Sequence, residues 1–205
     1  MLKRTSLLFI GLLLVSGCGA SSKAPSTAGS SASGGGVGTQ EGAAALAADA
    51  KSAATGDIPD SQNFLTLRAS RLRLSMLYPE GWTVQEGASG VSITDKNNLV
   101  RISLSRGSAP TTASVRSQLA ALKRSTPALT AGVPQTISLK SGPAVKVTYT
   151  TRSTPNPVTG KQVTLTVDRY VLAHGGRVAI VDLGTPVGVD NVDAYRRMIE
   201  SFAWR

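Results

Sequence analysis

Cys18 is the only cysteine in this 205-residue chain and His174 its only histidine. Thiol or imidazole chemistry must therefore run through one of these two side chains. A lone cysteine closes no internal disulfide, whatever the redox compartment. His174 precedes Gly175-Gly176, which suits a hairpin turn rather than a base. A hydrolytic triad needs that base beside a nucleophile and an orienting acid, and no Gly-x-Ser-x-Gly elbow accompanies the histidine. Metal binding would fall to carboxylates, without the ligand spacing of a zinc or calcium site. No catalytic residue, metal or cofactor is expected. Asp168 and Asp182 lie in strand-like stretches, Asp182 at a position that reads as buried. A buried carboxylate needs a partner or shifts its pKa, so each pairs with a cation or marks a site. The turns Arg106-Gly107-Ser108 and Leu183-Gly184-Thr185 lack the glycine spacing that cradles phosphate.

The surroundings of Cys18 say more. Lys3 and Arg4 make a basic tip, Leu7 to Leu14 an apolar run, and Val15-Ser16-Gly17 a small-residue close. That order describes a secretory signal peptide over residues 1–17. The run is shorter than the roughly 20 apolar residues that span a bilayer. Cys18 at the boundary resembles the lipobox of bacterial lipoproteins. The resemblance implies a diacylglyceryl thioether on Cys18, cleavage before it and acylation of the new amino terminus. Two or more chains anchor stably where one binds only marginally. The expected location is the extracytoplasmic face of the cell membrane, or the outer membrane of a two-membrane bacterium.

The chain carries 22 basic and 12 acidic residues, a formal +10. Loss of Lys3 and Arg4 with the signal peptide leaves 20 against 12, or +8. Such an excess favours anionic partners, lipid head groups or wall polymers among them; export argues against nucleic acid. Arg68, Arg71 and Arg73 form the one dense basic group of the folded part. Arg71 and Arg73 are expected to share a strand face, as a solvated stripe or a small interface.

Residues 18–57 follow as the lipidated cysteine and a linker of mostly Gly, Ala, Ser and Thr, with no apolar period to build a core. As a coil, such a tether of roughly 39 residues spans about 35 Å root-mean-square. From Ile58 to Arg205 the texture changes to one domain's worth of alternating residues. Strands are expected at Phe64–Leu67, Arg71–Tyr78, Val91–Thr94, Val100–Ser105, Ile137–Leu139, Val145–Tyr149, Val163–Leu172 and Arg177–Leu183. The last is apolar on both faces and should lie centrally. Thr112 should cap a helix burying Val115, Leu119 and Leu122. Asp190 should cap another, with Asp193 as a short capping-box analogue and Val192, Tyr195 and Ile199 buried. Short connections make consecutive strands antiparallel. The fold class is α+β: an antiparallel sheet with packed helices.

Leu74-Ser75-Met76-Leu77-Tyr78-Pro79-Glu80-Gly81-Trp82 is similar to the opening of PsbP-like domains, a strand followed by Tyr-Pro-x-Gly-Trp. Val192 to Phe202 resembles their closing helix and its Ser-Phe exit. The resemblance spans about Phe64 to Arg205, and the same superfamily includes Mog-type Ran-binding proteins and LpqN-type lipoproteins. It implies an αβα sandwich and a binding or assembly role without catalysis. Physically, Pro79 stops a strand, Gly81 supplies a turn dihedral and Trp82 returns as an apolar anchor. Tyr78 and Trp82 are thus architecture or, alternatively, the mouth of a pocket.

The function expected from the sequence is a lipid-anchored, extracytoplasmic, non-enzymatic binding or assembly module. Its partner would be an envelope protein, a glycan or a lipid, held on a sheet face or in the groove under a helix. The alternative is a carrier that holds a small apolar ligand or lipid between sheet and helix.

Overall fold

Val100, Ile102 and Leu104 alternate with Arg101, Ser103 and Ser105, and the backbone obeys that period. Val100 and Ile102 are fully buried while Arg101 and Ser103 are exposed. They belong to β5 (Asn98–Arg106) in a computed structural model that describes residues 56–126, 128–156 and 158–205. Cys18, the signal segment and the linker up to residue 55 lie outside the described residues.

The chain runs β1 (Phe64–Ala69), β2 (Leu74–Pro79), β3 (Thr83–Glu86), β4 (Gly90–Asp95), β5, α1 (Thr112–Ser125), β6 (Thr130–Ala131) and β7 (Gln135–Leu139). It continues through β8 (Gly142–Arg152), β9 (Thr164–His174), β10 (Arg177–Pro186), α2 (Val192–Glu200) and β11 (Ala203–Trp204). The large sheet has the order β3-β4-β5-β10-β9-β8-β6, with β7 also on β8; a small sheet has the order β1-β2-β11. Every pairing is antiparallel. The architecture is α+β, and β10 is central as its two apolar faces require.

Two cores follow from the pleat. On one face Ile93, Ile102, Leu172, Ala179, Val181 and Leu183 pack with Leu67, Leu74 and Met76 of the small sheet and with Tyr195, Met198 and Ile199 of α2. On the other, Val145, Val147, Tyr149, Val167, Val171 and Val178 pack with Val115 and Leu119 of α1. The first covering layer is thus part sheet and part helix. The second leaves Arg101, Ser103 and Ser105 exposed, which is why β5 alternates cleanly and β10 does not.

Local chemistry explains the ends. Pro79 closes β2, and Gly81 has φ +90°, open to glycine without a Cβ penalty. Gly175 and Gly176, both at positive φ, turn β9 into β10 directly after His174. Thr111, one residue before the expected Thr112, is the N-cap of α1. It forms a reciprocal capping box with Ser114.

Three expectations are corrected. Arg71 and Arg73 do not share a strand face: Arg71 sits in a 3₁₀ turn (Ser70–Leu72), and Arg73 is left-handed at φ 51°. The Leu72, Leu74, Met76 spacing imitates one continuous strand, but the β1–β2 connection consumes its first half. Val192 is not buried; it is 64% exposed, and Met198 takes a place in the core instead. Asn191, not Asp190, holds the N-cap position of α2, although Asp190 Oδ1 still accepts from Val192 N–H at 3.2 Å. Asp193 serves an ion pair with Arg196 at 2.7 Å. Strands β3 and β6 carried too few apolar residues to be legible beforehand.

Candidate functional site: a groove beside the closing helix

On the α2 side of the large sheet, the apolar cover stops short of β7 and β8. A groove of about 240 Å³ remains between these strands and α2. Ile137, Leu139 and Tyr170 line its sheet side; Val192, Arg196 and Glu200 line its helix side. The register explains the convergence: Lys146 lies opposite Tyr170, and Thr148 opposite Asp168, so all four point to the same face.

Asp168 is the polar centre of the groove. Its Oδ2 lies 2.8 Å from Lys146 Nζ, and its Oδ1 accepts from Thr148 Oγ1 at 2.5 Å. Lys146 Nζ also lies 5.4 Å from the centre of the Tyr170 ring, a cation–π distance. Partial burial acts to lower the Lys146 pKa. The hydrogen bond to Asp168 and the neighbouring Asp168 and Tyr170 charges outweigh it, and the pKa is raised. The Tyr170 hydroxyl is also raised, first by burial and then by the Asp168 carboxylate. The groove therefore offers a fixed ion pair beside an apolar wall.

A second, more open cleft of about 520 Å³ shares Arg196 and Glu200 and adds Leu77, Lys140, Asp193, Arg197 and Ser201. Together the clefts flank the exposed side of α2. Arg197 itself lies over Phe64, 4.4 Å from the ring centre.

The residues weighed from sequence fall elsewhere. Trp82 is 9% exposed within the first core, and Tyr78 packs against it half-buried; neither lines the two clefts. Asp182 makes a forked pair with Arg169, Nε to Oδ1 at 2.7 Å and Nη2 to Oδ2 at 2.8 Å. Both are buried, and the guanidinium sits 5.3 Å from the Tyr149 ring centre. Burial, then the Asp182 charge, pushes the Tyr149 hydroxyl up to about 12. Among the described residues, no three His, Cys, Asp or Glu side chains converge as a metal site.

His174 ends β9, and its ring stacks 5.9 Å from Trp204. Arg177, opposite it across the hairpin, lies 4.9 Å from the same indole and donates to Leu72 O at 3.1 Å. The backbone between Arg71 and Arg73 is thereby tied to Arg177, through tertiary contact rather than strand alternation. Sequence reasoning missed Lys146, Tyr170 and Val192 as groove residues. The signal available was that Lys146 and Thr148 interrupt the apolar period of β8, which reads as an ordinary wet face.

The comparisons with known proteins bear on the fold. No family model matches the chain, and no curated protein matches it. Among solved structures, the cyanobacterial PsbP protein CyanoP from Synechocystis sp. PCC 6803 overlays with a TM-score of 0.53 at 13% identity. The match covers 73% of this chain and 98% of that one. The domain thus has a PsbP-like fold. The Ran-binding protein Mog1p of Saccharomyces cerevisiae overlays at a TM-score of 0.47 and 10% identity, covering 69% of this chain and 95% of that one. A Pseudomonas aeruginosa protein described as a putative regulator overlays at 0.42 and 16%, covering 68% and 95%.

Proposed function

We propose that the chain is a lipid-anchored, extracytoplasmic binding module without catalytic chemistry, and that it grips an envelope partner through the groove beside α2. One observation carries this: an apolar wall of Ile137, Leu139 and exposed Val192 faces a fixed Lys146–Asp168 pair. Binding sites commonly combine an apolar wall with a few placed polar groups. The anchor rests on the N-terminal pattern around Cys18, and the frame is the αβα arrangement that the PsbP-like resemblance implies. The carrier alternative would use the same wall. The space between the sheet and its covering layers is filled by Ile93, Ile102, Leu172 and Met198, all under 2% exposed, so an apolar ligand would seat in the groove rather than inside.

The test is photo-crosslinking in intact cells from position 192 or 139, followed by mass spectrometry of what is attached. A defined protein or glycan adduct supports the module, and a lipid adduct supports the carrier. Background labelling alone, equal to the signal from exposed Val133, refutes a groove-specific partner. In parallel, Cys18→Ser should move the protein out of the membrane fraction. Full retention would place the anchor elsewhere.

A further inference from the structure

We infer that the pole of the domain around Trp204 is a second binding surface, built to take a phosphodiester-bearing polyanion. Arg106 and Arg177 are direct cross-strand partners, and His174 occupies the same rung beyond Arg177. Opposite residues of antiparallel strands point to one face, so three basic side chains project together. The small sheet adds more. The 3₁₀ turn carrying Arg71 is tied to Arg177 through Leu72 O. Arg205 N–H donates to Arg73 O at 2.8 Å. Arg205 Nε donates to Ser75 Oγ at 3.0 Å, and Ser75 lies opposite Arg68.

Arg71, Arg73, Arg106, His174 and Arg205 are exposed. Among the described residues, none of the arginines at this pole forms an ion pair; the four ion pairs present use Lys96, Lys146, Arg169 and Arg196. Like charges held on one rung repel, and Arg177 is held over the Trp204 ring. Guanidinium groups bind phosphate oxygens through charge-assisted, often bidentate hydrogen bonds.

The location selects the partner. Gly56 and Ile58, where the described chain enters, are held at the opposite end by Asn98 and Asn191. From Asn98 to Arg106 the strand runs about 26 Å. With the anchor read at Cys18, on which this choice rests, the chain enters the domain about a strand's length from the basic pole. A lipid-free polymer with phosphodiesters repeated along its length can meet several spaced arginines without that pole having to face the bilayer.

The experiment measures binding of the detergent-solubilised protein, as the cell processes it, to lipid-free poly(glycerol phosphate). The variant combines Arg71→Gln, Arg106→Gln and Arg73→Gly, the last suited to the left-handed φ at that position. The control removes the same charge from α1 through Arg116→Gln, Lys123→Gln and Arg124→Gln. Wild type should bind with strong salt dependence, the polar variant should lose about tenfold or more, and the control should stay within about threefold. Arg106→Gln alone, at an exposed strand end, should lose about threefold and serves if the triple variant does not fold. Unchanged binding by a folded variant, or an equal loss in the control, overturns the inference. Patch-dependent binding to micelles doped with phosphatidylglycerol, without polymer binding, also overturns it, since that puts a membrane there. The mass of the N-terminal peptide reports acylation separately, so failure of the anchor and failure of the basic pole are told apart.

Discussion

Asp182 shows how a single residue in this domain earns its burial. It sits 3% exposed on the central strand with a forked arginine at 2.7 and 2.8 Å. Burial acts to lower the Arg169 pKa, but the Asp182 hydrogen bond and charge outweigh it, so the pKa is raised and the guanidinium stays charged. Removing one partner of such a pair strands the other. Asp182→Asn should therefore cost about 3–5 kcal/mol in urea unfolding, and Asp182→Leu with Arg169→Met should recover much of that loss. A single-variant cost within noise would show the pair to be incidental. From the sequence, Asp182 was readable as a buried carboxylate in need of a cation. Its partner was not, because Arg169 and Asp182 meet only when β9 and β10 pair in the observed register.

At the scale of elements, the two helix starts contrast. Thr111 and Ser114 close α1 by themselves, in a local and exposed exchange. Asn191 stands at the start of α2 but spends its side chain on tertiary work. Its Oδ1 accepts from Ile58 N–H at 2.8 Å, and its Nδ2 donates to Gly56 O at 3.1 Å, to Asn98 Oδ1 at 3.1 Å and to Thr185 Oγ1 at 2.9 Å. Thr111→Ala should cost about 1 kcal/mol, the usual value of a cap. Asn191→Ala takes the acceptor from the buried Ile58 N–H and one bond each from Gly56 O, Asn98 Oδ1 and Thr185 Oγ1, and should cost about 3 kcal/mol or more. Equal costs in chemical denaturation would contradict the clamp. The capping threonine was nearly legible, displaced by one residue. The asparagine was not, since nothing local distinguishes a cap from a clamp between residues more than 90 apart. The β1–β2 connection failed for the opposite reason: local spacing there was too persuasive, and the small sheet's register overruled it.

For the whole molecule, stability should be sensitive to alkali. Burial raises Tyr149 to about 12 and raises Tyr170 and Tyr195 as well, and Lys146 is raised by its Asp168 bond against the opposing effect of burial. Unfolded tyrosine loses its proton near pH 10 while the folded groups keep theirs. The linkage contribution is complete below that pH and is lost as pH rises through the folded values. Lys146 acts with the same sign, its favoured charged form vanishing above its raised pKa. The urea midpoint should hold to about pH 9.5 and fall between pH 10 and 12, with Tyr149 alone contributing on the order of 3 kcal/mol. Tyr149→Phe should flatten the fall; a midpoint level through pH 12 in wild type would refute the linkage.

By itself, the order of residues determined the α+β class, most of the strands, both helices, the central place of β10 and the turns at Pro79-Glu80-Gly81 and Gly175-Gly176. Those depend on period, propensity and backbone freedom, which act over a few neighbours. Tertiary structure alone decided that Lys146, Asp168 and Val192 border one groove, that Arg169 answers Asp182, and that His174 and Arg177 meet the Trp204 indole with Arg106 on the same rung. Those juxtapositions follow from strand register and from which element covers which face, and long-range pairing leaves no periodic trace in the chain that encodes it.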